Sequence, residues 1–255
     1  MKIWLDSVVV ARRILTGLVR TRRTLVFWAV FPALMLLLFG LIYAGSSGTA
    51  SSFDRTTPGI LVGAALFFSC LGGPVATLVT ERESGTLRRL LLSPLSGTAY
   101  FLGVVLAYTV IAAGQTVVVY AIAAAFGGRF HGSLWLGGLI LLLTVASYCG
   151  IGFFLGVKFA RHAEDVNGPV AAFGVPLLAL GGTFFPPSIL PPYLRTAAQF
   201  DPIFHMNESL KSVAADGANA ASIMHSLIIL GLFATSALVL GALSYRHLLK
   251  VEQSK

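Results

Sequence analysis

Six apolar runs alternate with short polar stretches along the chain, at residues 25–44, 58–80, 100–126, 134–157, 166–185 and 223–243. Each is about as long as the roughly 20 residues a helix needs to cross a bilayer. Ahead of them, residues 1–23 place apolar side chains at Ile3/Trp4, Val8, Ala11, Ile14/Leu15 and Leu18, a helical spacing. Lys2, Arg12, Arg13, Arg20, Arg22 and Arg23 fill the same segment, which predicts an amphipathic helix lying in the membrane interface. The run at 25–44 has 20 residues, longer than the apolar region of a signal peptide. It is therefore expected to stay as the first span, bent at Pro32.

The polar stretches differ in kind. Residues 45–57 read as a Gly/Ser/Thr loop, and Gly72-Gly73-Pro74 predicts an irregularity inside the second span. Gly152-x-x-x-Gly156 lets a neighbouring helix approach closely, and Pro169 and Pro176 are expected to kink the fifth span. The longest connection, 186–222, opens with the rigid piece Pro186-Pro187-Ser-Ile-Leu-Pro191-Pro192. Two short amphipathic helices follow, at 193–200 and 202–213, the second with Asp201 as its cap.

The most charged interruption is Glu81-Arg-Glu-Ser-Gly-Thr-Leu-Arg-Arg-Leu-Leu-Leu-Ser-Pro94, with Arg88 and Arg89 in its second half. Glu81, Arg82 and Glu83 stop a span, Ser84-Gly85 breaks it, and Thr86 caps a short helix ended by Ser93-Pro94. Leu87, Leu90 and Leu91 share one face of that helix. Such a helix suits docking into a groove on a soluble partner; a solvated loop that only sets topology reads equally well from spacing alone.

Composition agrees: 56% of the 255 residues are hydrophobic and 11% charged, against about 25% charged in soluble domains. This predicts a single all-α integral membrane domain over residues 1–255. The formal charge of +8 belongs to topology, not to nucleic acid. Of the 18 Lys and Arg, the loops at 45–57 and 127–133 and the 186–222 connection hold only Arg55, Arg129, Arg195 and Lys211. The positive-inside rule then puts both termini and residues 81–99 in the cytosol of a plasma (inner) membrane protein. Cys70 and Cys149 sit in apolar runs and read as small buried hydrophobes.

No catalytic or metal-binding constellation is legible. A Gly-x-x-x-x-Gly-Lys-Ser/Thr phosphate loop is missing, as are His-Glu-x-x-His and Gly-x-Ser-x-Gly. The set His162, Glu164 and Asp165 offers too few ligands for a metal, and Asn207-Glu-Ser209 is a short match to the glycosylation pattern. No Asp, Glu, Lys or Arg falls in the middle of a run, which argues against a proton-coupled pump or an ion channel. Phe67, Phe68, Tyr108 and Gln115 are candidates to line a path. For Gln115 and His225, interhelical hydrogen bonding competes with that role. A self-contained channel or secondary carrier is the alternative to a driven permease.

Residues 81–94, together with Gly182-Thr-Phe-Phe-Pro-Pro-Ser-Ile-Leu-Pro-Pro-Tyr-Leu-Arg195 running into Asp201-Pro-Ile-Phe-His205, resemble the two signatures of the type-2 ABC transporter permeases. The resemblance covers nearly the whole chain. It departs at Asp201-Pro202, where the family usually has Asn-Pro, then an apolar residue, Thr and Tyr. It implies the permease half of an ABC exporter, and the apolar, uncharged path favours a hydrophobic or amphipathic cargo such as a drug, natural product or lipid. A cytosolic ABC ATPase would bind the ATP and Mg, this chain binding no cofactor, and a second permease copy, identical or related, would complete the pore within membrane lipid. Glu81, Arg82, Glu83, Gly85, Thr86, Leu87, Arg88, Arg89, Leu90 and Leu91 would form the ATPase-coupling segment. Phe184, Phe185, Pro186, Leu190 and Pro191 would belong to an outer gate.

Overall fold

The computed structural model describes residues 2–91, 95–160, 162 and 164–253, with helix throughout and no strand among them. Helix α1 (Lys2–Arg20) is followed by α2 (Arg22–Ser47) and α3 (Thr49–Gly59). From α3 the chain runs without a break through a π-helical segment (Ile60–Leu71) into α4 (Gly72–Glu83). Next come the short α5 (Thr86–Leu91), α6 (Gly97–Ala125), α7 (Leu134–Lys158) and α8 (Glu164–Leu180). After a 3-10 turn (Pro187–Ile189), α9 (Pro192–Ala198), α10 (Pro202–Ala214) and α11 (Met224–Gln253) complete the fold.

Among the described residues, five helical stretches are long and apolar enough to cross a membrane: Arg22–Ser47, Thr49–Glu83, Gly97–Ala125, Leu134–Lys158 and Met224–Tyr245. The fifth expected span, 166–185, is shorter than its apolar run. Helix α8 stops at Leu180 after 17 residues, about 26 Å at 1.5 Å per residue. The chain then turns at Gly181-Gly182, Gly182 having φ +78°, a conformation that suits glycine.

The Thr49–Glu83 stretch is the buried centre, since Ile60, Leu61, Val62, Ala65, Leu66 and Cys70 lose nearly all exposure. Helix α7 packs on it through the small-residue motif. A side chain at Gly152 would meet the Leu71 backbone, and one at Gly156 would stand 3.2 Å from Val75 Cα. Gly150 gives the same access to the backbone of α11 at Ala237. The π-to-α change falls at Gly72, beside the expected Gly72-Gly73-Pro74 irregularity, where the Tyr108 ring occupies the space a Gly73 side chain would need.

The expected 45–57 loop is helix except near Gly48, where φ is +79°. Tertiary contacts override its polar composition. Ser52 Oγ donates to Gly40 O at 2.6 Å, and Phe53, fully buried, stacks on Phe126 at 4.6 Å. Asp54 accepts from the Arg129 amide at 2.6 Å and pairs with His131 at 3.0 Å, which pins α3 to the α6–α7 connection.

Helix α1 ends three residues before its expected limit. It also packs laterally: Val10, Ala11 and Ile14 are buried, and Val10 fills the space beside Gly103 of α6. Ile3, Trp4, Leu5, Val8 and Val9 stay exposed, an apolar surface suited to the interfacial role.

Candidate functional site

Around α5 the charged residues divide into two sets. Glu83 is exposed, Ser84 and Gly85 form the turn (Gly85 φ +66°), and Ser84 Oγ donates to Thr86 Oγ1 at 2.9 Å. Arg89 is exposed and Leu90 half-buried against the core. The helix begins at Thr86 itself, so the capping position is the glycine turn before it. Ser93-Pro94, expected to end this helix, and the side chains of Arg88 and Leu91 lie outside the described residues. So do the side chains of Glu164 and Asp165 beside His162.

Two expectations for this segment change. Leu87, placed by the sequence on a docking face, is 2% exposed and buried in the chain's own core. Glu81 and Arg82, read as stopping a span and as part of the ATPase-coupling segment, turn into the bundle. Glu81, 8% exposed, accepts from the Tyr100 hydroxyl at 2.6 Å through one oxygen and from the Arg13 guanidinium through the other. Arg82 donates to Ala160 O and, at 3.4 Å, to Val157 O at the end of α7. The turn that presents α5 is therefore cross-linked to α1, α6 and α7. Tyr100 also stacks on Tyr245 of α11 at 5.5 Å between ring centres, with Phe153 of α7 beside both.

The candidate path residues sort differently. Gln115 accepts from Ser69 Oγ at 2.7 Å and donates to Trp28 O at 2.9 Å, joining three helices. It also borders a 240 Å³ cavity between α2 and α6. Tyr108 is fully buried and shares a hydrogen bond with Thr77 at 2.7 Å. Phe68 packs edge-on to Phe31 at 5.5 Å. Phe67, edge-on to Tyr148 at 5.5 Å, borders a larger cavity of about 460 Å³ between the central helix and α7, α8, α10 and α11.

At the other end of the bundle lie the expected gate residues. Phe184 packs on Phe39 at 5.5 Å, and its carbonyl accepts from Tyr43 at 3.2 Å. Phe185 lies 6.4 Å from Phe184, Pro186 and Leu190 are half-buried, and Pro191 is exposed. Asn207 anchors the turn before them, donating to Gly181 O at 2.7 Å and Thr183 Oγ1 at 3.1 Å. Being 3% exposed, it is closed to a glycan. A 270 Å³ cavity lined by Tyr43, Arg55, Thr183, Phe184 and Lys211 sits beside this segment. Asp201 caps α10 as expected, accepting from the Ile203 amide at 2.9 Å. Its carboxyl pKa is pushed up to about 6 by burial, the bond to the Ile203 amide opposing the shift.

Arg13, Tyr100 and Tyr245 were missed by reading the sequence. Arg13 is one of six basic residues in its segment, and nothing local marks a partner 68 positions away. The two tyrosines sit at or just beyond the ends of their apolar runs, where aromatic rings need no special explanation.

A buried multi-pass helical core, an amphipathic first helix and a cross-linked turn carrying a short helix define an all-α membrane protein of the transporter permease class. The chain belongs to the ABC-2 type transporter family, whose defining pattern matches residues 7–214. It is also similar to the protein named "Probable multidrug ABC transporter permease YbhR" in Escherichia coli K12 and in Escherichia coli O157:H7. In each case 28% of 152 residues are identical, covering 59% of this chain and 41% of the relative. The match thus spans less than half the length of those relatives.

Proposed function

We propose that this chain is the membrane subunit of an ATP-driven exporter that moves a hydrophobic or amphipathic substrate out of the cytosol. A separate cytosolic ATPase supplies the work, and a second permease copy, identical or related, completes the pore. Both termini and residues 81–99 face the cytosol, and α8 with the turn after it serves as the fifth crossing. The naming of the YbhR relatives as probable multidrug permeases supports cargo of this kind.

One observation carries the reading: the inner turn that presents α5 is tied by Glu81 and Arg82 to α1, α6 and α7. A push on α5 therefore reaches four elements as a rigid body, the kind of movement that switches packed helices between two arrangements. Exposed Arg89 and Glu83 meet the ATPase, while Leu87 fixes α5 to the bundle instead of docking outward. At the far end, the segment from Gly181 to Pro191 is held by side-chain bonds from Tyr43 and Asn207 and can reseat when the helices shift.

The test is transport in sealed vesicles. The complex with its ATPase should accumulate an apolar dye only with ATP, and the ATPase should co-purify with this chain. Movement of the dye by the purified chain alone, with no nucleotide and no second protein, would overturn the reading.

A further inference from the structure

We infer that the 460 Å³ cavity between the central helix, α7, α8, α10 and α11 is a binding site for a lipophilic organic cation. The inference rests on the export reading for its biological purpose, and on the cavity alone for its chemistry. The volume falls in the range of small-molecule pockets, which are mostly apolar with a few placed polar groups. Phe67, Phe173, Leu177 and Phe233 supply the apolar wall, and Phe173 is largely exposed, so the cavity has a lateral mouth.

Two polar groups line the same space, and both are incompletely used. Asp201 is 5% exposed; its Oδ1 holds the Ile203 amide while Oδ2 has no hydrogen-bond partner among the described residues. Tyr148 is 2% exposed and its hydroxyl is likewise unpartnered. Buried polar atoms are rarely left this way. Among the described residues no Lys, Arg or His forms an ion pair with Asp201. Capping does not account for the charge, because Asn caps a helix as well as Asp. A carboxylate facing an aromatic, otherwise uncharged chamber is complementary to a delocalised cation, which the ring faces also attract. A neutral or anionic guest would leave that carboxylate without a counter-charge.

The test uses the full chain in lipid nanodiscs and saturable binding of tetraphenylphosphonium, corrected for empty discs. Wild type should bind it, with neutral triphenylphosphine oxide competing at least about tenfold more weakly. Asp201→Asn keeps a cap acceptor and should weaken tetraphenylphosphonium binding at least about tenfold, with little change for the neutral competitor. Gly174→Leu leaves Asp201 and α10 alone but drives a side chain toward Phe67, and should also weaken binding.

Absence of saturable binding to wild type, or equal binding to Asp201→Asn and wild type, would overturn the site. If the complex exports another cargo while wild type binds no tetraphenylphosphonium, the site falls and the export reading stands. Asp201-dependent binding, with the dye moved by the purified chain alone in the absence of nucleotide, supports the site and overturns the export reading.

Discussion

Two buried carboxylates, Glu81 at the end of α4 and Asp201 just before α10, have opposite surroundings. Glu81 spends one oxygen on Arg13 and the other on Tyr100, whereas Asp201 spends one on a helix end and leaves the other unpartnered. A buried charge that is paired and hydrogen-bonded fixes the elements supplying its partners, and removing one partner strands the other. A buried charge without a counter-charge holds nothing together beyond its cap; it destabilises the fold and is complementary to whatever cation arrives. Glu81 is therefore a cross-link between helices, and Asp201 borders a cavity.

The largest expected effect comes from breaking the Glu81 cluster. Arg13→Ala should cost about 3 kcal/mol by leaving the buried Glu81 carboxylate without its counter-charge, read as a lower unfolding temperature of the purified chain. Glu81→Ala should cost less, because Arg13 is 37% exposed and keeps water, and the double variant should lose less than the two single losses combined. Additive losses would mean that the two residues do not act as a pair.

Asp201 gives the opposite sign. Burial pushes its carboxyl pKa up to about 6 from the ordinary 3.8, so between about pH 4 and pH 6 the folded chain holds more protons than the unfolded one. Stability is highest below that window and falls as pH rises through it. Asp201→Asn should flatten this slope and raise the unfolding temperature at pH 7. A steeper slope in the variant, or a lower unfolding temperature at pH 7, would contradict the assignment.

Smaller effects sharpen the contrast. At Gly59 an added Cβ would stand 2.7 Å from Thr183 O, so Gly59→Ala should displace the outer turn at a cost of about 1–3 kcal/mol, visible as faster proteolysis near 181–186. Gln115→Leu removes interhelical bonds worth about 0.6–2 kcal/mol and should lower stability least, with transport retained.

The sequence made most of the helices legible because their signals are local. Asp201-Pro202 announced α10, which runs to Ala214, and the apolar run at 134–157 matches α7 to within a residue. The failures share a cause in distant contacts. Residues 49–57 carry loop-like side chains and form helix because Phe53, Ser52 and Asp54 meet Phe126, Gly40 and Arg129. The apolar run at 166–185 outlasts its helix because its last residues, 181–185, pack and bond to α2 and α10 through backbone and side chain. The short helix at 86–91 was legible along the chain, yet Leu87 was assigned to an outward docking face and is buried. Helical periodicity states which residues share a face and not which neighbour that face meets.

The central claim is that the Glu81 cluster carries motion from α5 into the bundle. Its most direct test compares ATP hydrolysis with dye transport in the reconstituted complex carrying Tyr100→Phe, a change that removes one hydroxyl and no packing volume of note. The account predicts near-normal hydrolysis with transport per ATP reduced several-fold. Hydrolysis and transport both unchanged would contradict it.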